Sequence, residues 1–196
     1  MLMTNFLQKR KSVRNFKKDT VPRDSLENIK LLMDELDQEE GEINFSLYEN
    51  GKIVAEGLRG KAGYSGVMIE APHYIALDIT NDKPLNILKG GYCLEKLNTK
   101  IVDLDLDTCW ITVDDVDAET KKAIFGENGI GIDYLIAIGY GQKKKLFDPE
   151  VTSSRLNVDE IVFADTLGNP ISIETLENYG VFDVFSSVRY APSHKN

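Results

Sequence analysis

The chain has 196 residues, 42% of them hydrophobic, and a formal net charge of −9 at pH 7. This size predicts one domain, residues 1–196, and the acidic balance excludes general binding to nucleic acid or membrane surfaces, which requires a basic field. Cys93 and Cys109 lack the CxxC spacing and the histidine partners of a zinc site, which indicates a reduced, cytoplasmic compartment, and no signal peptide or membrane-spanning run is visible.

The N-terminal part of the chain is predicted to be mainly helical. A short helix is expected at residues 5–8, and a second begins near Pro22, where Asp24 and Glu27 form a capping-box-like pair. The apolar residues of this second helix recur at helical spacing: Leu26, Ile29, Met33 and Leu36. Residues 37–42 are acidic and are predicted to form a loop.

Strands are predicted next. Apolar and polar residues alternate at 43–47, which favours a strand, and Asn50-Gly51 then indicates a hairpin turn into apolar residues 53–54. A further strand is expected at 74–79. The longest helix is predicted at 85–104, where Gly90-Gly91 indicates close packing against another element.

The remaining elements alternate between the two types. They are a strand at 108–113, a helix at 117–125, a strand at 135–140, a short helix or turn at 158–163 and a last helix at 173–190, interrupted by Gly180. Strands that alternate with helices predict an α+β or α/β domain.

A basic segment, residues 10–16 (RKSVRNF), contrasts with the acidic remainder of the chain. Arginine offers a planar fork of donors that matches a phosphate, and Ser12 adds a short hydroxyl donor. In a regular helix Arg10 and Arg14 share a face while Ser12 points elsewhere, so binding one anion through all three requires a bend at Ser12. The alternative is a solvated basic face.

Other catalytic patterns are missing from the sequence. His73 and His194 have no neighbours that indicate a triad or a metal site, so no catalytic side chain and no metal ligand is predicted. Asp103, Asp105 and Asp107 alternate as in a calcium loop, but leucines separate them and the loop lacks its glycine and closing glutamate.

Five segments carry motif-like residues in a fixed order: RKSVRNF at 10–16, a helix and DTCWI at 92–111, IGYG at 138–141, Arg155 ahead of VDEIV at 158–162, and VRYAPSHKN at 188–196. In that order they resemble the R-R-S-x-R-x-F, G-L-G-T-C-W-I-G-G, x-G-Y, R-K-P-x-E-E-x-V and R-x-A-P-S-x-x-N-x-Q-P-W motifs of the FMN-dependent nitroreductase family. The resemblance covers nearly the whole chain. It implies an α+β, nitroreductase-like fold with a central, mainly antiparallel sheet flanked by helices.

The resemblance also implies a flavin site. Arg10 and Ser12 would hold the FMN phosphate, with Arg155 as a further donor. Lys11 would lie along the ribityl chain. Arg14 would approach the ring near N1 and O2, where negative charge develops on reduction and a cation is stabilising.

The second half of the implied site departs from the family pattern. Ile111 and Thr112 would lie along the ring edge through their backbone, but Thr112-Val113 replaces the family's G-G, which crowds that approach. Three residues would approach from a facing half: Pro192, Ser193 and Asn196. Their position near the C-terminus resembles a subfamily in which two halves are fused into a pseudo-dimer, with residues 173–196 resembling the start of the second half. The motif stops at Asn196, so a second copy is expected to complete the site in a homodimer.

The implied function is an FMN-dependent oxidoreductase. NAD(P)H would reduce the flavin, which would then reduce a nitroaromatic, a quinone or a similar small-molecule acceptor by ping-pong hydride transfer. Because the cofactor carries the chemistry, no protein general base is needed, in accord with the missing triad. Two alternatives stay open: a degenerate or truncated member that binds flavin or a partner without turnover, and an α+β domain whose motif is coincidental.

Overall fold

The computed structural model describes residues 10–81, 83–142 and 155–191. The chain divides into two compact units: residues 11–143 form the sheet unit, and residues 1–10 with 144–196 form the terminal unit. The helix expected at residues 5–8 lies outside the described residues, as do Pro192, Ser193 and Asn196. In the described part of the chain, no helix combines the length and the apolar character that crossing a bilayer requires.

The sheet unit begins with helix α1, Arg23–Glu40, followed by strand β1, Ile43–Tyr48. As the spacing predicts, α1 buries four apolar residues: Leu26, Ile29, Met33 and Leu36. The helix ends at Gly41, whose left-handed φ of 63° lets its N–H donate to the Asp37 carbonyl at 3.0 Å. The loop expected at residues 37–42 is therefore wrong, because most of these acidic residues form the last turn of α1.

Two local expectations near α1 and β1 are also wrong. Pro22, not Asp24, occupies the N-cap of α1, and no side chain caps that end of the helix. Asn50-Gly51 makes no hairpin, since helix α2, Gly51–Leu58, begins there. A Cβ at position 51 would lie 2.2 Å from the Ala71 carbonyl oxygen, so close backbone approach, and not turn geometry, requires this glycine.

The remaining elements of the sheet unit lie close to their predicted positions. They are strand β2 (His73–Ile79), helix α3 (Pro84–Asp103), strand β3 (Asp107–Thr112), helix α4 (Ala118–Phe125) and strand β4 (Ile132–Gly139). The expected close packing of α3 holds for Gly90, where a Cβ would lie 2.9 Å from the Ile79 Cδ1. It does not hold for Gly91, which has open space around it.

The four strands form one antiparallel sheet in the order β1-β2-β4-β3. One face packs against α1 and α3, and the other packs against α2, α4 and part of the basic segment. The predicted α+β fold, with a central antiparallel sheet flanked by helices, is thus confirmed. The strand order leaves β3 at an edge, where its free side can meet the basic segment.

The described part of the terminal unit contains three short helices. They are α5 (Val158–Ile161), α6 (Ile173–Asn178) and α7 (Phe182–Val188). Asn157 and Glu160 cap the start of α5 reciprocally. The last helix predicted at 173–190 is interrupted at Gly180, as expected, and forms two helices; Gly180 has a positive φ of 68°. A small apolar cluster of Val158, Val162 and Leu176 holds these helices together.

Candidate functional site

The basic segment is extended and bonded to the edge of the sheet unit. Ser12 forms a parallel bridge with Thr108 in β3, and the Val13 N–H donates to the Thr108 carbonyl at 2.9 Å. Further along, Phe16 forms an antiparallel bridge with Gly141, just beyond β4. Because β3 and β4 are antiparallel, the start of one lies beside the end of the other, and both bridges fall at the same end of the sheet.

The apolar residues of the segment face the core. Val13 and Phe16 pack into the core face that contains α2, whereas Lys11, Ser12 and Arg14 are exposed. In an extended chain, residues two apart point to the same side, so Ser12 and Arg14 share a side without a bend. The helical geometry considered for this segment is therefore replaced by one that brings its hydroxyl and its second arginine together.

Ser12 and Arg14 both lie near the thiol of Cys109, the residue that follows Thr108 in β3. Burial raises the pKa of this thiol, while the Arg14 cation and a hydrogen bond with the Ser12 hydroxyl act in the opposite direction. Because burial outweighs the other two effects, the thiol stays protonated at neutral pH and is not a nucleophile. Cys109 is instead a buried packing residue beneath the exposed donors.

A buried hydrogen bond between β3 and α3 supports this contact. The Thr108 hydroxyl donates to Asn98 Oδ1 at 2.8 Å, and the fully buried Asn98 donates from Nδ2 to Glu95 Oε2 at 3.3 Å. Thr108 is the residue whose carbonyl holds the basic segment, so this bond fixes the anchor itself. Asn98 is not among the residues predicted from the sequence, although an amide on the apolar stripe of α3 is a visible signal.

The outer edge of β3 presents main-chain groups at alternate residues. The Thr108 carbonyl is bonded to the basic segment, and the Thr112 carbonyl accepts from the Gly63 N–H at 3.0 Å. In β3, the main-chain N–H and C=O groups of the even-numbered residues, Trp110 included, therefore point away from β4. Those of Ile111 point toward β4. The Ile111 side chain is buried, whereas Thr112 is exposed and its hydroxyl bonds Asp114.

Two of the three predicted phosphate ligands, Arg10 and Arg155, belong to the terminal unit. Arg155 donates from Nη1 to the Arg189 carbonyl at 2.7 Å. Burial lowers the pKa of Arg155, and the positive charge of Arg10 lowers it further.

Comparison with known proteins identifies the family. A family model described as "Putative TM nitroreductase" matches residues 3–196, nearly the whole chain. The chain belongs to this nitroreductase family. Membership makes it an oxidoreductase by family, and it confirms the resemblance that the five ordered motifs indicated. None of the curated proteins compared matches the chain.

Solved structures share the fold of this nitroreductase at low sequence identity. An FMN-dependent nitroreductase from Clostridium difficile R20291 is 21% identical, with a TM-score of 0.61 over 82% of this chain and 98% of that one. A nitroreductase with bound FMN from Bacteroides fragilis is 16% identical, with a TM-score of 0.60 over 79% and 96%. An FMN-dependent nitroreductase from Mycobacterium smegmatis, in complex with NADPH, is 15% identical, with a TM-score of 0.58 over 71% and 87%.

The predicted site residues of this nitroreductase therefore fall into separate groups. Lys11, Ser12 and Arg14 lie at the start of β3, and Ile111 and Thr112 lie further along the same strand. From Thr108 to Ile111 the distance along the strand is about 10 Å at the usual rise per residue. Arg10 and Arg155 belong to the terminal unit.

Proposed function

We propose that this nitroreductase is an FMN-dependent oxidoreductase that passes hydride from NAD(P)H to nitroaromatic, quinone or similar small-molecule acceptors in ping-pong order. Family membership supports the oxidoreductase part of the proposal. The FMN-bound Bacteroides fragilis protein and the NADPH complex from Mycobacterium smegmatis support the choice of cofactor and electron donor. FMN, when bound, supplies the two-electron chemistry, so the task of the chain is to bind and orient it.

The anchored basic segment carries the proposal. Ser12 and Arg14 are exposed on one side of an extended chain that Thr108 fixes through a backbone hydrogen bond. The backbone that carries this hydroxyl and this guanidinium is fixed before a ligand arrives, which lowers the entropic cost of binding. Their donor chemistry fits a phosphate ester and the electron-rich edge of a flavin.

We assign the FMN phosphate to Arg10, Ser12 and Arg155, which together supply two guanidinium groups and a hydroxyl. Lys11 is assigned to the ribityl chain. Arg14 is assigned to the ring near N1 and O2, where a fixed cation stabilises the negative charge that develops on reduction. No protein general base is needed in this scheme, which agrees with the absence of a histidine-based triad in the sequence.

A second copy of the chain is proposed to complete the site. Thr112, whose main chain faces away from β4, is assigned to the ring edge, and Ile111, whose main chain pairs with β4, is assigned to support it from behind. The facing side is assigned to residues of the partner copy at positions equivalent to Pro192, Ser193 and Asn196. Light scattering during size-exclusion chromatography should therefore give a mass of two chains. A monomer that binds FMN in full stoichiometry contradicts the shared site.

The flavin assignment is tested by titrating FMN into the apoprotein and following the quenching of flavin fluorescence. Arg14→Ala should weaken FMN binding roughly tenfold, since a hydrogen bond to a charged group contributes about 1.5–3 kcal/mol. Arg59→Ala is the matched control, because Arg59 is an exposed arginine that pairs with Glu70 at 2.8 Å. Wild-type affinity in the Arg14 variant would mean that Arg14 lies outside the flavin site.

A further inference from the structure

A glycine-rich turn, residues 59–67, lies against the outer edge of β3. The Gly63 N–H donates to the Thr112 carbonyl at 3.0 Å. Toward the other end of the same edge, the Val13 N–H donates to the Thr108 carbonyl, which is about 13 Å away along the strand at the usual rise per residue. The basic segment and the 59–67 turn therefore bracket the middle of this edge from its two ends.

The middle of the edge keeps free donors. The main chain of Trp110 and Thr112 faces away from β4, and neither N–H has a hydrogen-bond acceptor among residues 10–81, 83–142 and 155–191. Thr112 is the residue that the proposed function assigns to the edge of the flavin ring. A ligand bound at this edge would have the basic segment at one end and the 59–67 turn at the other.

The 59–67 turn is held at three points. The Leu58 carbonyl, at the end of α2, accepts from the N–H groups of Lys61 and Ala62 at 3.0 and 3.1 Å. The Lys61 ammonium pairs with Asp117, the N-cap of α4, at 3.2 Å, and the hydrogen bond to β3 is the third point. Ala62 itself is buried in the core. The main chain of the turn thus has a fixed place before any ligand binds, which lowers the entropic cost of binding.

Tyr64 directly follows the glycine that is bonded to Thr112. Because consecutive Cα atoms lie about 3.8 Å apart, the Tyr64 ring is within reach of a ligand held at that residue. Tyr64 is 78% exposed, and its side chain makes no hydrogen bond or ring contact with the described residues. A single exposed tyrosine is common on protein surfaces and needs no function. The position beside the free edge of β3 is what distinguishes Tyr64.

The backbone next to Tyr64 is strained. Ser65 has a left-handed φ of 53°, a conformation that costs free energy in a residue other than glycine. Such strain persists only where the surrounding contacts impose it, and it occurs preferentially at ligand-binding sites. A plain surface loop would relax, whereas a turn that keeps one ring beside a ligand must hold its shape.

We propose that Tyr64 is a specificity-determining residue, whose ring packs against the flat face of an aromatic acceptor, a quinone or a nitroaromatic, bound beside the flavin at the edge of β3. This inference rests on the proposed function, which assigns the edge of the flavin ring to Thr112. Two aromatic rings attract each other beyond the apolar area that they bury, so Tyr64 favours a planar aromatic acceptor over one without a ring. It binds and orients the acceptor and takes no part in electron transfer.

The test isolates the reoxidation of the flavin. The full chain is loaded with FMN, reduced with dithionite under exclusion of oxygen, and mixed with 1,4-naphthoquinone or with ferricyanide, which has no ring to pack. Tyr64→Leu keeps an apolar side chain and removes the ring. We expect the second-order rate constant for naphthoquinone to fall roughly three- to tenfold, and the rate constant for ferricyanide and the affinity for FMN to stay unchanged.

Two variants serve as controls. Tyr64→Phe keeps the ring, so its rate constants with both acceptors should equal those of the wild type. Tyr179→Leu, at a tyrosine that is 71% exposed and belongs to the terminal unit, is the matched control and should also behave as the wild type.

Three results overturn the role of Tyr64. An equal loss with both acceptors means that Tyr64→Leu disturbs the flavin site as a whole, weaker FMN binding means that the ring contacts the flavin, and an unchanged rate with naphthoquinone means that the acceptor does not contact Tyr64. A wild type that takes up no FMN contradicts the proposed function together with this role. A wild type whose flavin is reoxidised by naphthoquinone, with Tyr64→Leu unchanged, contradicts the role of Tyr64 alone.

Discussion

His73 joins three parts of the sheet unit through its ring. Nε2 accepts from the Val21 N–H, just before α1, at 3.1 Å, and Nδ1 lies 2.7 Å from the Glu49 carbonyl, between β1 and α2. Accepting at Nε2 and donating at Nδ1 requires the neutral ring with its proton on Nδ1. The residue is only 3% exposed, so water does not replace either bond when the ring is removed.

Replacing His73 with leucine should lower the free energy of unfolding by about 2–4 kcal/mol. The buried Val21 N–H loses its acceptor, which costs roughly 1–3 kcal/mol, and the bond to the Glu49 carbonyl contributes roughly 0.5–1.5 kcal/mol more. His73→Gln keeps one donor and one acceptor, so its loss should be smaller. Urea unfolding followed by circular dichroism measures both variants, and equal stability of His73→Leu and wild type refutes the reasoning.

The pH dependence of stability provides a second readout for His73. Burial lowers the pKa of this residue below its ordinary value of 6.5, against a smaller opposing effect of Glu49. As the pH falls below about 6.5, the unfolded chain takes up this proton before the folded chain does, so the free energy of unfolding falls, by at most about 1.4 kcal/mol per pH unit. Above that pH the contribution is fully present. His73→Gln should lack this component, and an identical pH profile for the two proteins refutes the assignment.

Three further substitutions test the packing around the site. Gly51→Ala should cost about 1–3 kcal/mol in urea unfolding, because its Cβ would meet the Ala71 carbonyl at 2.2 Å, whereas Gly91→Ala, with nothing within 4 Å, should stabilise α3 by about 0.5–1 kcal/mol. The reverse order of these two variants contradicts the packing. Thr108→Val leaves the side-chain oxygen of the buried Asn98 without its donor and should lower the free energy of unfolding by about 1–3 kcal/mol. Its FMN binding should weaken more than that of a control variant with the same loss of stability. An unchanged melting temperature refutes this prediction.

The elements that the sequence predicted well are those fixed by local periodicity. The apolar stripe of α1 and the alternation in β1 each determine which face is buried, and the structure confirms both. Asn50-Gly51 misled because its signal is local, whereas the backbone at Ala71 determines the need for a glycine at 51. Asp24 misled in a similar way, since Pro22, two residues before it, is already the N-cap of the helix.

The candidate site was predictable in its residue types but not in its geometry. Ordered motifs pointed to the basic segment and to β3, and the family match agrees with them. The extended form of the segment depends on its pairing with Thr108, nearly a hundred positions along the chain, and no local pattern contains such a pairing. The role of Asn98 depends likewise on a contact outside its own helix, with Thr108 of β3.

The visible absorption spectrum of the purified protein tests the central claim most directly. A yellow protein that shows the flavin bands, or acquires them with one equivalent of added FMN, and that is bleached by NADH or NADPH under exclusion of oxygen, is the predicted result. Flavin bands that neither nucleotide bleaches would support the alternative of a flavin-binding member without turnover. A colourless protein that takes up no added FMN contradicts the account.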